Sequence, residues 1–178
     1  WLKHLGSNCP LSLEGMGTEC SKVCLCGDTE PEENSSIPKL RARLKDPDAT
    51  VRKQAADHLG RMAYSSNAGK QAAAHAMPEL QMALTDTDAT VRQKAASALA
   101  ELHTSAAPAV QLLTDALKDE SFYVRRDAAL ALGRIGPEAL TAVPHLQALL
   151  SDKVSVVRDN AEEALKNLGV DSGVALAD

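Results

Sequence analysis

One pattern of apolar and polar positions occurs four times in this chain. Each copy starts at a leucine, passes through an acidic turn to a Val-Arg pair, and continues into a segment rich in alanine and leucine. The copies begin at Leu44, Leu84, Leu117 and Leu150. Between the valines of the pairs (Val51, Val91, Val124 and Val157) the period is 40 residues and then 33 twice. Fixed periods of this size predict a stack of one repeated supersecondary unit.

The spacing within each copy predicts two helices. Apolar residues of the first helix recur at steps of three and four, which places them on one helix face. These residues are Ile37, Leu40 and Leu44, then Met77, Leu80 and Leu84, then Val110, Leu113 and Leu117, then Val143, Leu146 and Leu150. The second helix carries the stripe Val51, Ala55, Leu59 and Met62, which returns in every later copy. Because ordering a residue costs about 1–2 kcal/mol, one such pair is unstable alone and stacking is required.

Residue types at the helix ends predict where the helices begin and stop. Asp48, Asp88 and Ser121 precede the second helices and can accept hydrogen bonds from their first amides. The fourth copy has Val154 at that position, so Ser155 is the predicted cap there. Gly60, Gly133 and Gly169 are predicted to lie near helix ends, where glycine tolerates left-handed backbone. The first unit is longer than the others, and residues 64–75 predict an enlarged loop or a helix extension.

The motif L-x-D-x-x-x-x-V-R-x-x-A-A-x-x-L-G, which recurs through residues 37–169, resembles a HEAT repeat of the short bacterial and archaeal type known from phycobilisome lyase subunits. The resemblance implies a right-handed all-α solenoid with the second helices on its concave face. It also implies a structural ladder in which an aspartate and an arginine join neighbouring units. The ladder residues are Asp46, Asp86, Asp119 and Asp152 with Arg52, Arg92, Arg125 and Arg158. We divide the chain into a segment 1–36, four repeats (about 37–76, 77–109, 110–142 and 143–169) and a tail 170–178.

The segment 1–36 contains all four cysteines of the chain and no sustained period, which predicts loop or disorder. Cys20, Cys24 and Cys26 are weak candidates for metal ligands, because their spacing fits the paired cysteines of zinc sites poorly. Disulfides and free thiols remain open, so a metal or redox role of this segment stays an alternative. The chain starts at Trp1 rather than Met, and we therefore expect a processed chain or a fragment.

Charge and composition narrow the function. A net charge of -5 and a pI near 5.5 disfavour nucleic acid as the partner. The chain has no apolar run of about 18 residues, the length that a membrane-spanning helix needs. No secretory signal is evident either, so the compartment stays open, with the cytoplasm slightly favoured. No His-Glu pair, phosphate-binding glycine loop or nucleophile triad is evident. We therefore expect no enzyme activity and no cofactor. We also expect the protein to be a monomer or part of a longer chain.

What remains as candidate chemistry is the outward surface of the second helices. The third unit differs from the others, with two aromatic residues at its inter-helix turn and two arginines around an outward leucine. Aromatic residues and arginine commonly anchor interfaces. The candidate binding residues are Phe122, Tyr123, Arg126, Leu130 and Arg134, with Lys53 and Arg61 of the first unit. The sequence thus predicts a scaffold that binds a protein or peptide on its concave face. The alternative implied by the resemblance is a bilin lyase-like subunit or chaperone that binds a tetrapyrrole or a phycobiliprotein.

Overall fold

The computed structural model describes residues 37–170, and every regular element in this range is helical. A short first helix is followed by a longer second helix four times. The helices are α1 (Ile37–Arg43), α2 (Ala49–Ser65), α3 (Asn67–Ala74), α4 (Met77–Ala83), α5 (Ala89–Leu102), α6 (Val110–Ala116), α7 (Phe122–Ile135), α8 (Val143–Leu149) and α9 (Ser155–Asn167). Two 3-10 segments, His103–Ala109 and Pro137–Ala142, lead into α6 and α8. These residues form an all-α solenoid, which confirms the fold class predicted from the period.

The core is one continuous seam between the stacked helix pairs. Helix α2 packs on α5, α5 on α7 and α7 on α9. Val91, Val124 and Val157 are fully buried in this seam, as are the leucines eight positions after them. Val51 is only half-buried, because no described helix precedes the first unit.

A turn bond to the ladder aspartate precedes every second helix, whereas the cap residue itself bonds in only two of the four. Asp48 and Asp88 do cap α2 and α5, accepting from the amides of Thr50 and Thr90. Ser121 occupies the cap position of α7 without a side-chain cap bond. In all four turns the first aspartate accepts a hydrogen bond from the amide two residues later, at 2.8–2.9 Å.

The prediction that Ser155 caps the last helix is wrong. Val154 is the cap residue of α9, and Ser155 is the first residue of that helix. The carboxylate of Asp152 accepts from the Val154 amide at 2.8 Å, so this turn has the same form as the other three whatever side chain follows.

Gly60 lies inside α2 rather than near its end, which corrects the prediction, and Gly133 lies in the last turn of α7 without the left-handed backbone expected there. A Cβ on Gly133 would lie 2.7 Å from the Ala164 Cα, and one on Gly60 would lie 3.3 Å from the Ala98 Cα. These glycines therefore permit close approach of neighbouring second helices. Gly169 follows α9 with φ +73°, as predicted for a helix end.

The additional residues of the first unit form the predicted helix extension, but a separate short helix stands where the alternative prediction was an enlarged loop. Helix α2 extends to Ser65, and Ser66 then caps the separate helix α3 by accepting from the Gly69 amide at 2.9 Å. None of the helices within 37–170 has the length and apolar character that a bilayer span needs.

Candidate interaction surface

The ladder residues meet between neighbouring units. The guanidinium of Arg92 donates from Nε and Nη2 to the two carboxylate oxygens of Asp119, at 2.7 and 3.0 Å. Arg52 forms the same two-bond pair with Asp86, at 2.6 and 2.8 Å. Arg125 forms it with Asp152, at 2.8 and 3.1 Å. Each of these pairs joins the second helix of one unit to the turn of the next.

The remaining nitrogen of each ladder arginine bonds the turn of its own unit. Nη1 of Arg92 donates to the carbonyl of Asp86 at 2.8 Å, and Nη1 of Arg158 donates to the carbonyl of Asp152 at 2.7 Å. At the two ends of the described range, the carboxylate of Asp46 has no arginine partner and the guanidinium of Arg158 has no carboxylate partner among residues 37–170. Three of the four ladder arginines therefore connect units, and all four brace their own turns.

The ladder holds its carboxylates ionised. The Arg52 side chain lowers the pKa of Asp86 below its ordinary value of 3.8, and the Arg125 side chain does the same for Asp152. Burial alone would raise the pKa of Asp119, but its hydrogen bonds to Arg92 and to the Ser121 amide outweigh that effect and lower it. Hydrogen bonds to the charged form and a nearby opposite charge both favour ionisation.

A second charged contact, which the sequence pattern did not reveal, joins the first two units on the side of the first helices. The carboxylate of Glu79 is buried on α4 and accepts from Arg41 Nε and Nη2, both at 3.0 Å, and from Lys45 Nζ at 3.1 Å. Glu79 occupies a position where the other units have Lys39, Leu112 and His145. Because that position does not repeat, the period carried no signal for this ion pair.

The second-helix face is the surface formed by the outward positions of the four second helices. These are Lys53, Asp57 and Arg61 on α2, then Gln93, Ser97 and Glu101 on α5, then Arg126, Leu130 and Arg134 on α7, then Asp159, Glu163 and Asn167 on α9. All of them are exposed or half-buried. The structure thus brings the predicted binding residues of α2 and α7 onto one surface.

The α7 cluster is formed by Arg126 and Leu130 of this face together with Phe122 and Tyr123 from the first turn of α7. The rings of Phe122 and Tyr123 lie 3.9 Å apart between centroids, and the Arg126 guanidinium carbon lies 5.6 Å from the Tyr123 ring centroid. Phe122 and Leu130 are half-buried against the core, whereas Tyr123 is 48% exposed. Leu130 is therefore less outward than the helical pattern predicts.

Most cations on the face already have an acidic partner. Arg134 donates from Nη1 to Glu101 on the neighbouring α5 at 2.6 Å. Arg126 donates from Nε to Asp127 at 2.7 Å, which raises the pKa of Arg126, and Asp127 is itself buried. Lys53 has no hydrogen bond or ion pair within the described part of the chain. These pairs fix the arginines in place while leaving their outer edges accessible.

Tyr64, an exposed aromatic residue that the repeat pattern did not reveal, lies beside a groove between α2 and α5. The groove has a volume of about 190 Å³ and is lined by Asp57, Gly60, Arg61, Tyr64, Lys94, Ser97 and Glu101. Helix α2 continues to Ser65, past the positions at which α5 and α7 end, and Tyr64 lies in this added part of the helix. Ala63 stands where the later copies have His103, Gly136 and Gly169. This alanine was the sequence signal that could have predicted the longer helix.

No group of three or more metal-ligating side chains occurs in residues 37–170. The candidate ligands Cys20, Cys24 and Cys26 lie outside this range. His103 has a lowered pKa, caused first by burial and then by the nearby charges of Lys70 and Arg134. Its backbone has φ +51°, a region that favours glycine.

A family model described as HEAT repeats matches residues 77–166, just over half of the chain. The chain belongs to the HEAT-repeat family. A second model, described as non-SMC mitotic condensation complex subunit 1, matches residues 32–114. No curated protein matches this HEAT-repeat chain. These matches do not confirm the phycobilisome lyase-like subtype.

Solved structures with the same fold include engineered repeat proteins. One engineered protein from the Northeast Structural Genomics Consortium is 30% identical, with a TM-score of 0.67 over 75% of this chain and 62% of its own. Another from the same consortium is 26% identical, with a TM-score of 0.68 over 74% of this chain and 62% of its own. A designed armadillo repeat protein in complex with the peptide (KR)4 is 24% identical, with a TM-score of 0.68 over 75% of this chain and 64% of its own. The HEAT-repeat chain thus spans 62% of the length of each engineered protein.

Proposed function

We propose that this HEAT-repeat chain is a non-enzymatic scaffold that binds a protein or peptide on the second-helix face. Two close approaches, Gly60 to Ala98 and Gly133 to Ala164, bring neighbouring second helices together. The first helices pack mainly on their own second helices and on the 3-10 segments rather than on one another. The more closely spaced layer of a curved stack lies on its inner side, so we infer that the second-helix face is concave. Solenoids use such extended concave surfaces for binding.

The α7 cluster is the observation that carries this proposal. Tyr123 presents about half of its surface to solvent while its ring contacts the Phe122 ring and the Arg126 guanidinium. Arg126 is in turn fixed by the buried carboxylate of Asp127. A preorganised aromatic ring next to an arginine loses little side-chain freedom on binding and is typical of interface hot spots.

The framework under the cluster supports the same reading. Arg125, the neighbour of Arg126 in sequence, is buried and bonded both to Asp152 and to the carbonyl of Asp119. A rigid element positions surface side chains more reproducibly than a loop does. The designed armadillo repeat protein shows that a solenoid of this architecture can be solved with a peptide bound. We use that comparison as an analogy of fold, since function depends on the residues of the site.

Site-specific photo-crosslinking tests the proposal. A photoreactive amino acid at Tyr123 should capture one defined partner in the native extract. The same amino acid at Met82 or Leu140 should not capture this partner, because both residues lie off the second-helix face. They are matched controls because they are also exposed, at 64% and 48%. The captured protein is then purified and titrated against the chain and its variants.

With the purified partner, Tyr123→Ala should weaken binding about 30-fold, which corresponds to a hot-spot loss of about 2 kcal/mol. Met82→Ala and Leu140→Ala should leave the affinity unchanged, and circular dichroism should report the same helical content for all three. Equal losses for Tyr123→Ala and Met82→Ala would rule out the α7 cluster as the centre of the interface.

A further inference from the structure

The groove between α2 and α5 has room for one side chain of a bound peptide. Its volume of about 190 Å³ is below the roughly 300–1,000 Å³ of pockets that enclose small-molecule ligands. Gly60 lines it, so no side chain fills the space over the point where α2 approaches Ala98. Arg61 and Tyr64 rise from its edge, 70% and 79% exposed.

Around the groove, three cations (Arg61 and Lys94 in its lining, and Arg134, which pairs with Glu101) face the two carboxylates of Asp57 and Glu101, which leaves one positive charge in excess. The carboxylate of Asp57 is shared by two cations, with Lys94 Nζ at 2.7 Å and Arg61 Nε at 3.3 Å. One carboxylate cannot neutralise both. Among residues 37–170 the guanidinium of Arg61 makes the ion pair with Asp57 but no hydrogen bond, and it is 70% exposed, so its terminal nitrogens remain available to a ligand.

The surplus extends along most of the second-helix face. Across α2, α5 and α7 the face and its edge carry five cations and three carboxylates, a surplus of two positive charges in a chain whose net charge is -5. The cations are Lys53, Arg61, Lys94, Arg126 and Arg134, and the carboxylates are Asp57, Glu101 and Asp127. On α9 the sign reverses, because its outward positions hold the exposed carboxylates of Asp159 and Glu163 and no cation.

We propose that the groove receives an acidic side chain of the partner, so that the scaffold selects an acidic peptide segment. The carboxylate of a partner Asp or Glu would accept from the terminal nitrogens of Arg61, the geometry in which arginine binds carboxylates best. An adjacent apolar residue of the peptide would pack on the Tyr64 ring. Lys53, two turns before Arg61 on α2, would face a further carboxylate. The inference rests on the proposed function and adds the chemistry of the partner.

This preference is opposite to that of a basic ligand. The designed armadillo repeat protein was solved with (KR)4. On this chain a basic peptide would place like charges against Arg61 and Lys53, and like-charge contacts disfavour a partner strongly. The acidic segment would lie over α2 and α5 and away from the carboxylates of α9.

Fluorescence anisotropy with three labelled peptides of equal length tests the inference on the full chain. The peptides repeat Glu-Ser-Leu, Gln-Ser-Leu or Lys-Ser-Leu. The Glu peptide should bind about tenfold more tightly than the Gln peptide, as one charge-assisted carboxylate contact predicts, and the Lys peptide should bind most weakly. Equal binding of the Glu and Gln peptides would overturn the inference, as would a preference for the Lys peptide.

Matched charge variants separate the groove from general electrostatics. Arg61→Gln should reduce the affinity for the Glu peptide to that for the Gln peptide. Lys118→Gln removes one positive charge from an exposed turn outside the face and should have no effect. Asp159→Asn should strengthen binding slightly or leave it unchanged. If Lys118→Gln weakens binding as much as Arg61→Gln does, the groove is not the site.

The crosslinked partner distinguishes failure of this inference from failure of the proposed function. Suppose that Tyr123→Ala weakens binding of that partner, whereas Arg61→Gln and neutralisation of the partner's acidic residues do not. The scaffold function then stands and the acidic preference is wrong. If Tyr123→Ala is also without effect, the proposed function fails first.

Discussion

Removing the Asp119 carboxylate provides the most direct measure of what joins the units. Asp119→Ala deletes both hydrogen bonds from Arg92 and the turn bond from the Ser121 amide at 2.8 Å. The two side chains are 11% and 10% exposed, so the arginine would be left largely desolvated, with only the exposed carboxylate of Glu120, 3.3 Å from its Nη2, as a charged partner. Breaking a buried pair by removing one member costs about 3–5 kcal/mol, and we expect the lower end because this pair retains some solvent contact.

Asp46 supplies a matched control within the same chain. Its carboxylate makes the same turn bond, to the Asp48 amide at 2.9 Å, but has no arginine partner among residues 37–170. Asp46→Ala should therefore cost only about 1 kcal/mol, the usual value of one hydrogen bond. The difference of about 2 kcal/mol between the two variants is the expected contribution of the Arg92 contact.

Urea unfolding followed by circular dichroism measures both variants, and a double-mutant cycle with Arg92→Ala isolates the pair. The cycle should give a coupling energy of about 1–2 kcal/mol between Arg92 and Asp119. This coupling energy, unlike the difference between Asp46→Ala and Asp119→Ala, does not depend on how far each site lies from the end of the repeat array. Equal costs for Asp46→Ala and Asp119→Ala, together with zero coupling in the cycle, would refute the argument that the ladder joins the units.

Three further predictions concern the backbone, the helix contacts and pH. His103→Gly should raise the unfolding free energy by about 1 kcal/mol in thermal melts, because His103 holds φ +51° where the next copy has Gly136 at φ +88°; an unchanged melting temperature would show that no strain is stored there. Gly133→Ala should destabilise by about 1–3 kcal/mol, whereas Gly60→Ala should be nearly neutral because its looser contact is offset by the helix propensity of alanine; equal urea midpoints would contradict this. The pKa values of the ladder aspartates are lowered from 3.8 in the folded state, so their stabilisation is complete above about pH 4 and is lost as pH falls through the folded values. The urea midpoint should therefore decrease as pH is lowered below about 4, and it should decrease less steeply in Asp119→Asn.

The repeated features of this fold were predictable from the sequence because each occurs at the same place in every copy. Four valines at one position indicated the buried seam, and three of them, Val91, Val124 and Val157, are fully buried. The pairing of Arg92 with Asp119 followed from the resemblance to HEAT repeats, and the distances now describe it. Periodicity averages over copies, so it identifies what the copies share.

Features of single copies were not predictable in the same way. Ser155 has the side chain of a cap residue, yet the Asp152 turn places the helix start one residue earlier. Gly133 was assigned to a helix end from its residue type, although its role depends on Ala164 in another helix. Tyr64 joined the candidate site only once α2 was seen to continue past the length of the later second helices. A contact with another helix decided the outcome for Gly133, whereas a local turn bond decided it for Ser155 and the length of α2 decided it for Tyr64.

The position of the ladder has a mechanical consequence. Every ladder bond lies at the edge where first helices turn into second helices, whereas the opposite edge depends mainly on apolar packing and on contacts such as Arg134 to Glu101. Directional hydrogen bonds resist displacement more stiffly than apolar contacts, which tolerate small sliding motions. We therefore expect the stack to bend about its cross-linked edge, with the largest excursions at the far edge near Tyr64. A ligand that spans both edges would act as a brace and limit this elastic motion.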